Sequence, residues 1–100
     1  MAELESKVEK DFVKIAMLDY SSIAFKFKRE AIKGGADRLI FTPSGHSFFI
    51  EFKRPGGSGV ISPHQLEFRS MMKEFNERVY FVDSLKAALN ILKLEIEVYG

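Results

Sequence analysis

The apolar positions of this chain change period along its length, and each change marks a new element. From residue 3 to about 20 they recur at helical spacing. At about 100° per residue, Leu4, Val8, Phe12, Ile15, Ala16 and Leu18 share one side, and Lys7, Lys10, Asp11 and Lys14 fall on the other. The next stretch alternates. Ile23, Phe25 and Phe27 are interleaved with Ala24, Lys26 and Lys28, the period-two pattern of a strand. Residues 37–42 predict a second strand, and Pro43-Ser44-Gly45-His46 supplies turn chemistry. Residues 47–53 predict a third strand, forming a hairpin with the second. Its nearly unbroken apolar run predicts a central strand covered on both faces.

A loop follows at Arg54-Pro55-Gly56-Gly57-Ser58-Gly59. Ser62-Pro63 then opens a helix, with Ser62 as N-cap and Pro63 at the first helical position. Its apolar stripe reads Phe68, Met71, Met72 and Phe75. Residues 78–82 predict a fourth strand. Asp83 or Ser84 caps a third helix through about Lys93, with Leu85, Ala88, Leu89 and Leu92 inward. The tail 94–99 alternates, which predicts a short edge strand or a partner-binding strand beyond a core of about residues 5–92. The order is α-β-β-β-α-β-α, an α/β layer fold around a small mixed sheet.

Composition narrows the function. A chain of 100 residues suits one domain. With no cysteine there is no disulfide framework, Cys-ligated zinc or thiol nucleophile. No apolar run approaches the ~18 residues of a membrane span. The first residues lack the basic and apolar regions of a signal peptide, so an intracellular, non-secreted domain is expected. The net charge of +1 argues against a polyanion partner, but the charge is unevenly spread. Residues 26–56 hold seven Lys and Arg against three acids, a balance of +4, while the flanking stretches are at −2 and −1. A basic middle attracts polyanions locally whatever the total. A plain solvated face would carry the same charges.

Some residues break their local pattern. Glu51 and Lys53 lie two apart on the most apolar strand, and so project from one face. Charges there must be paired or serve a site. Asp37 opens the preceding strand, and the hairpin brings it toward Glu51 and Lys53. A buried ion pair would explain these residues equally well. Glu5 and Glu9, one turn apart, face the apolar side of the first helix, where a carboxylate is costly unless a cation meets it. Gln65 is in phase with Phe68 and Met72 on the buried side of the second helix. A helix acid, Asp37, Glu51 and Lys53 form a donor set that suits Mg²⁺ or Mn²⁺, with a main-chain carbonyl such as that of Phe52 completing the oxygen ligands. Such a metal would polarise a phosphoryl oxygen and activate water, with Lys53 orienting the water or offsetting charge.

The pattern Asp37-x13-Glu51-x-Lys53 resembles the PD-(D/E)xK nuclease superfamily, and within it the VRR-NUC (virus-type replication-repair nuclease) domain. The matching stretches are Glu5-Ser-Lys-Val-Glu9-Lys-Asp-Phe-Val, Lys33-Gly-Gly-Ala-Asp37-Arg-Leu-Ile, Phe49-Ile-Glu51-Phe-Lys53-Arg-Pro-Gly-Gly, Ile61-Ser62-Pro63-His64-Gln65 and Val79-Tyr80-Phe81-Val82-Asp83. Ala36 departs from the pattern, since the family usually has Pro before the Asp. The resemblance implies a restriction-endonuclease-like core. It implies that Asp37 and Glu51 ligate Mg²⁺ or Mn²⁺, that Lys53 is catalytic and that Gln65 supports the site. The helix acid matches Glu9 or Glu5, with Glu9 preferred. A short version looks like the stand-alone phage or bacterial form, similar to archaeal Holliday-junction resolvases that act as homodimers in DNA repair. The implied substrate is branched DNA.

A two-fold pair would double the basic segment and space two sites across one junction. Lys26, Lys28, Arg29, Lys33 and Arg54 are the expected phosphate contacts, mostly blind to sequence. Two rival readings keep the fold without the chemistry: a non-catalytic nucleic-acid-binding module, and a protein-assembly domain whose Glu51–Lys53 pair is structural.

Overall fold

A computed structural model of the chain describes residues 2–27, 34–54 and 60–99, with side chains from residue 6 onward. Along the chain run α1 (Ala2–Tyr20), β1 (Ile23–Lys26), β2 (Arg38–Phe41), β3 (Ser47–Phe52), α2 (Pro63–Lys73), β4 (Val79–Val82) and α3 (Leu85–Tyr99). The strands form one sheet in the order β1-β2-β3-β4. β1, β2 and β3 pair antiparallel, with Arg38 opposite Ile50 and Phe41 opposite Ser47. β4 joins β3 in parallel, with Glu51 opposite Phe81. Gly45 closes the β2–β3 hairpin at φ 88°, where residues with a Cβ are strained.

β3 is central, and its alternation explains the unbroken apolar run. Phe48, Ile50 and Phe52 point into a core shared with Phe12 and Ala16 of α1 and Ala88 and Leu92 of α3. Phe49 points the other way, into a second core with Ala36, Phe68 of α2 and Val79. Phe49 stands edge-on to Phe27 and Phe68, at 5.3 and 5.2 Å between ring centres. α1 and α3 therefore share a core with one face of the sheet, and α2 shares one with the other. Ser62 caps α2 as expected. Its hydroxyl accepts from the Gln65 amide while the Gln65 side chain accepts from the Ser62 amide, a reciprocal capping box.

The largest departure from the sequence reading is at the C-terminus. Residues 94–99 are not an edge strand; α3 continues through them to Tyr99. The buried positions Ala88, Leu92 and Glu95 follow one helical face. A glutamate occupies the last of them, so the apolar signature of that face stops early. The alternating Leu94, Ile96 and Val98 then imitate a strand.

Three smaller departures share a cause, the finite width of each contact. Leu18, on the expected inner stripe of α1, is 66% exposed, because Phe12 and Ala16 make the buried line. Phe75 is 70% exposed, because α2 ends at Lys73 and its stripe ends with it. In β1 the small Ala24 is buried, while Ile23 and Phe25 are about half exposed. Phe25 packs edge-on against Phe41 at 5.7 Å. No helix among the described residues is long and apolar enough to cross a membrane.

Candidate active site

The β2–β3 ladder ends with Arg38 opposite Ile50. Beyond it, the amide of Phe52 donates to the Asp37 carboxylate, Oδ2, at 2.8 Å. Asp37 is fixed from its other side too, since its carbonyl accepts from the Phe27 amide at 3.0 Å. The carboxylate is thereby held against the Glu51–Phe52–Lys53 segment.

Glu51 and Lys53 project from the α2 face of β3. Glu51 is 3% exposed. An ionised carboxylate so deep needs partners. Its Oε2 accepts from Gln65 Nε2 at 2.6 Å and lies 3.6 Å from Lys53 Nζ. Gln65 Oε1 accepts from Lys53 Nζ at 2.6 Å and from the Ser62 amide at 2.9 Å. Reversing the Gln65 amide would turn its NH₂ toward the ammonium and its oxygen toward the carboxylate, so the chemistry fixes this orientation. Lys53 Nζ also donates to the Val60 carbonyl at 2.9 Å. The Lys53 amide donates to the Val82 carbonyl at 2.6 Å, which extends the β3–β4 pairing into the site.

A glycine sets how closely α2 meets this end of the sheet. Gly34, at φ 80°, packs on the main chain of His64 in the first turn of α2. A Cβ there would stand 2.3 Å from the His64 carbonyl oxygen. The Gly34–Asp37 segment and the Gln65 turn are thus pressed together.

Glu9 reaches the same end of the sheet by another route. Its Oε2 accepts from Arg38 Nε at 2.6 Å. Arg38 follows Asp37, and alternation turns it toward α1 rather than α2. The cation expected to meet a helix acid is therefore Arg38. The side chain of Glu5 lies outside the described residues, as do Lys28, Arg29 and Lys33. Lys26 and Arg54 are both exposed.

Asp37, Glu51, Lys53 and Gln65, far apart in sequence, converge at one end of the sheet. Among the described residues no cluster of three or more His, Asp or Glu is preassembled for a metal. Two carboxylates are nevertheless the usual protein share of a Mg²⁺ site, which keeps several waters. In an extended strand a residue's N–H and C=O point the same way. The Phe52 carbonyl therefore lies on the side from which the Phe52 amide meets Asp37. This hard-oxygen set fits Mg²⁺ or Mn²⁺.

A second polar cluster, not found by the sequence reading, occupies the opposite end of the sheet. Glu95, 1% exposed, accepts from Arg78 Nε at 2.8 Å and from the Tyr80 hydroxyl, and meets His46 Nε2 at 2.5 Å. Burial alone would raise the Glu95 carboxyl, but the hydrogen bonds from Arg78, Tyr80 and His46 outweigh it and hold the pKa below 4.5. Burial and then the bond to Glu95 push Tyr80 up to about 12. The same carboxylate raises Arg78 further above its ordinary value. The Tyr99 ring stacks on His46 at 4.6 Å and lies 3.9 Å from the Arg78 guanidinium. The legible signal was the spacing of Glu95 from Ala88 and Leu92, in phase with the buried face.

Two solved structures resemble this chain along nearly its whole length. One, described as a VRR_NUC domain, is 26% identical, has a TM-score of 0.74 and matches 97% of this chain and 98% of its own. The other, described as a VRR_NUC domain protein, is 16% identical with a TM-score of 0.73, over 95% of this chain and 89% of its own. At that lower identity the likeness speaks for the fold alone. No protein-family model matches the sequence, and no curated protein does. The four-stranded mixed sheet and its flanking helices match the α/β fold of these VRR_NUC domain structures and are consistent with a restriction-endonuclease-like core.

Proposed function

We propose, from the VRR-NUC domain fold of this chain as premise, that it is a Mg²⁺- or Mn²⁺-dependent endonuclease that hydrolyses phosphodiester bonds in branched DNA. The observation that carries this reading is the convergence of Asp37, Glu51, Lys53 and Gln65 through the hydrogen bonds at Phe52 and Gln65. A structural ion pair would not need Asp37 at the same place.

Asp37, Glu51 and the Phe52 carbonyl would hold the metal, and Glu9 would be its helix acid once released from Arg38. When bound, the metal would polarise a phosphoryl oxygen and lower the pKa of a water. Lys53 sits in a confined position with three donors and one compact charge. Its role is to orient the attacking water and offset negative charge developing on the phosphate. Gln65 is a positioning residue. It holds Glu51 with one end of its amide and Lys53 with the other, and the Ser62 capping box holds Gln65. Lys26, Lys28, Arg29, Lys33 and Arg54 would contact phosphates. A homodimer would bring two such sites to a junction with two-fold symmetry.

Purified protein with synthetic four-way, splayed and linear DNA, in Mg²⁺ and in Mn²⁺, tests the reading. Cleavage that stops in EDTA is expected, strongest on the four-way substrate. Intact DNA in both metals, with binding retained, would overturn it. Light scattering on the free protein reads the mass, and a monomer would remove the paired-site part alone.

A further inference from the structure

The site does not end at Lys53. On its far side, the ring of Phe81 lies 5.9 Å from Lys53 Nζ and 5.1 Å from the Arg69 guanidinium. One aromatic ring therefore bridges a site cation and a cation on α2. Along α2, Gln65, Arg69 and Lys73 follow at steps of four, so they rise along one side of the helix. Gln65 is buried in the site, while Arg69 and Lys73 are exposed. Below Lys73 the structure opens into a cavity of about 630 Å³ lined by Arg69, Ser70, Lys73, Asn76, Glu77 and Arg78. Its acid, Glu77, accepts from the Ser47 hydroxyl at 2.7 Å, and Arg78 is turned to Glu95. Glu67 and Glu74, the acids of this region of α2, fall about 160° and 100° around the helix from their basic neighbours Arg69 and Lys73.

We propose that this side of α2, from Lys53 past Phe81 to the cavity below Lys73, is a track for the sugar-phosphate backbone of the strand flanking the cut. This inference rests on the nuclease reading. The eight residues from Gln65 to Lys73 rise about 12 Å. Arg69 and Lys73, about one helical turn apart on that length, are spaced to meet neighbouring phosphates of one strand. Arg69 and Lys73 contact phosphates of the flank, and the track ends at the cavity, where the Glu77 carboxylate, its Oε1 buried with no hydrogen-bond partner among the described residues, turns a further phosphate away. Apart from Lys53, this track lies outside the basic segment of residues 26–56, and it lengthens the contact a small domain can make.

Fluorescence anisotropy in EDTA, with labelled DNA and RNA oligonucleotides as two arms, measures binding without cleavage. The variant is Arg69→Ala with Lys73→Ala. A matched control removes two charges from α3, Lys86→Ala with Lys93→Ala, and thermal melting checks that both proteins fold. The track variant should bind roughly tenfold more weakly, with a salt slope shallower by about two, one per lost phosphate contact. The control should match wild type. Equal loss in both variants, or loss in neither, overturns the track. Wild type that binds neither DNA nor RNA overturns the nuclease reading and the track together. Wild type that binds but never cuts in Mg²⁺ or Mn²⁺ overturns only the nuclease reading, and the two variants still decide the track.

Discussion

Each end of the central sheet buries a glutamate, and the two are held differently. Glu95 meets a guanidinium, a phenol and an imidazole drawn from two other parts of the chain, β4 with the residue before it and the β2–β3 turn. Glu51 accepts from the amide of Gln65, and its contact with Lys53 is longer, at 3.6 Å. At the first end the partners compensate the buried charge and tie α3, β4 and the β2–β3 turn together. At the second, the lysine is shared with Gln65 and the Val60 carbonyl, and the neighbouring Asp37 adds a second carboxylate. A buried acid met by strong donors from several elements is a structural joint. A buried acid beside a second acid and a shared lysine is suited to chemistry. Glu95, Tyr80 and Arg78 all titrate away from their ordinary values because the joint holds them together.

Crossed substitutions test this contrast most severely. Glu95→Ala leaves Arg78 and Tyr80 facing an emptied site, and should cost about 3 kcal/mol of stability. For a domain of this size that lowers the melting midpoint by more than 10 °C. Cleavage below that midpoint should persist. Lys53→Ala should do the reverse, cutting the cleavage rate by about 10²–10³ with the melting midpoint nearly unchanged or raised, since site charges are often held at some cost to stability. If Lys53→Ala unfolds the protein instead, Lys53 is structural and the contrast fails.

A smaller effect should come from Gly34→Ala. The positive φ costs about 1–2 kcal/mol, and the Cβ forces the His64 main chain away. Stability and cleavage should therefore fall together, because the same displacement moves Gln65. A change in only one of them would break the link between Gly34 and the site.

The pH profile sharpens the comparison. The folded Glu95 carboxyl titrates below its ordinary 4.5, so its stabilisation is present above that value and is lost as pH falls through the folded value. Tyr80 is raised from 10 to about 12, so its stabilisation is complete below 10 and is lost as pH rises toward 12. Melting midpoints across pH should fall off on both sides, and Glu95→Gln should flatten the acid limb. Ser62→Ala should give the smallest change, about 1 kcal/mol from the lost cap. Its effect on cleavage should exceed its effect on the midpoint, since Ser62 also holds Gln65.

The pattern of residues was legible where one element determines it. Helical spacing marked α1, the unbroken run of β3 marked a strand covered on both faces, and Ser62-Pro63 marked the start of α2. The phase of Gln65 against Phe68 also showed that an amide would be buried. The spacing Ser62-x-x-Gln65 is itself a capping-box signature, which joins the cap to the site. What failed was every inference that needed to know where a neighbour stops. Leu18, Ile23, Phe25 and Phe75 have the right period and no partner deep enough to cover them.

By itself, then, the sequence determined the element order and the residue types at the candidate site, because period and spacing are local properties. It also determined the uneven charge that admits a polyanion. Only the tertiary structure decided which cation meets Glu9, how Gly34 sets α2 against Asp37, and that Arg69 shares the Phe81 ring with Lys53. These pairings span long stretches of chain and depend on register and on helix placement. The same holds for the last turns of α3. A buried glutamate there breaks the local pattern, and its partners Arg78, Tyr80 and His46 come within reach only once the sheet has formed.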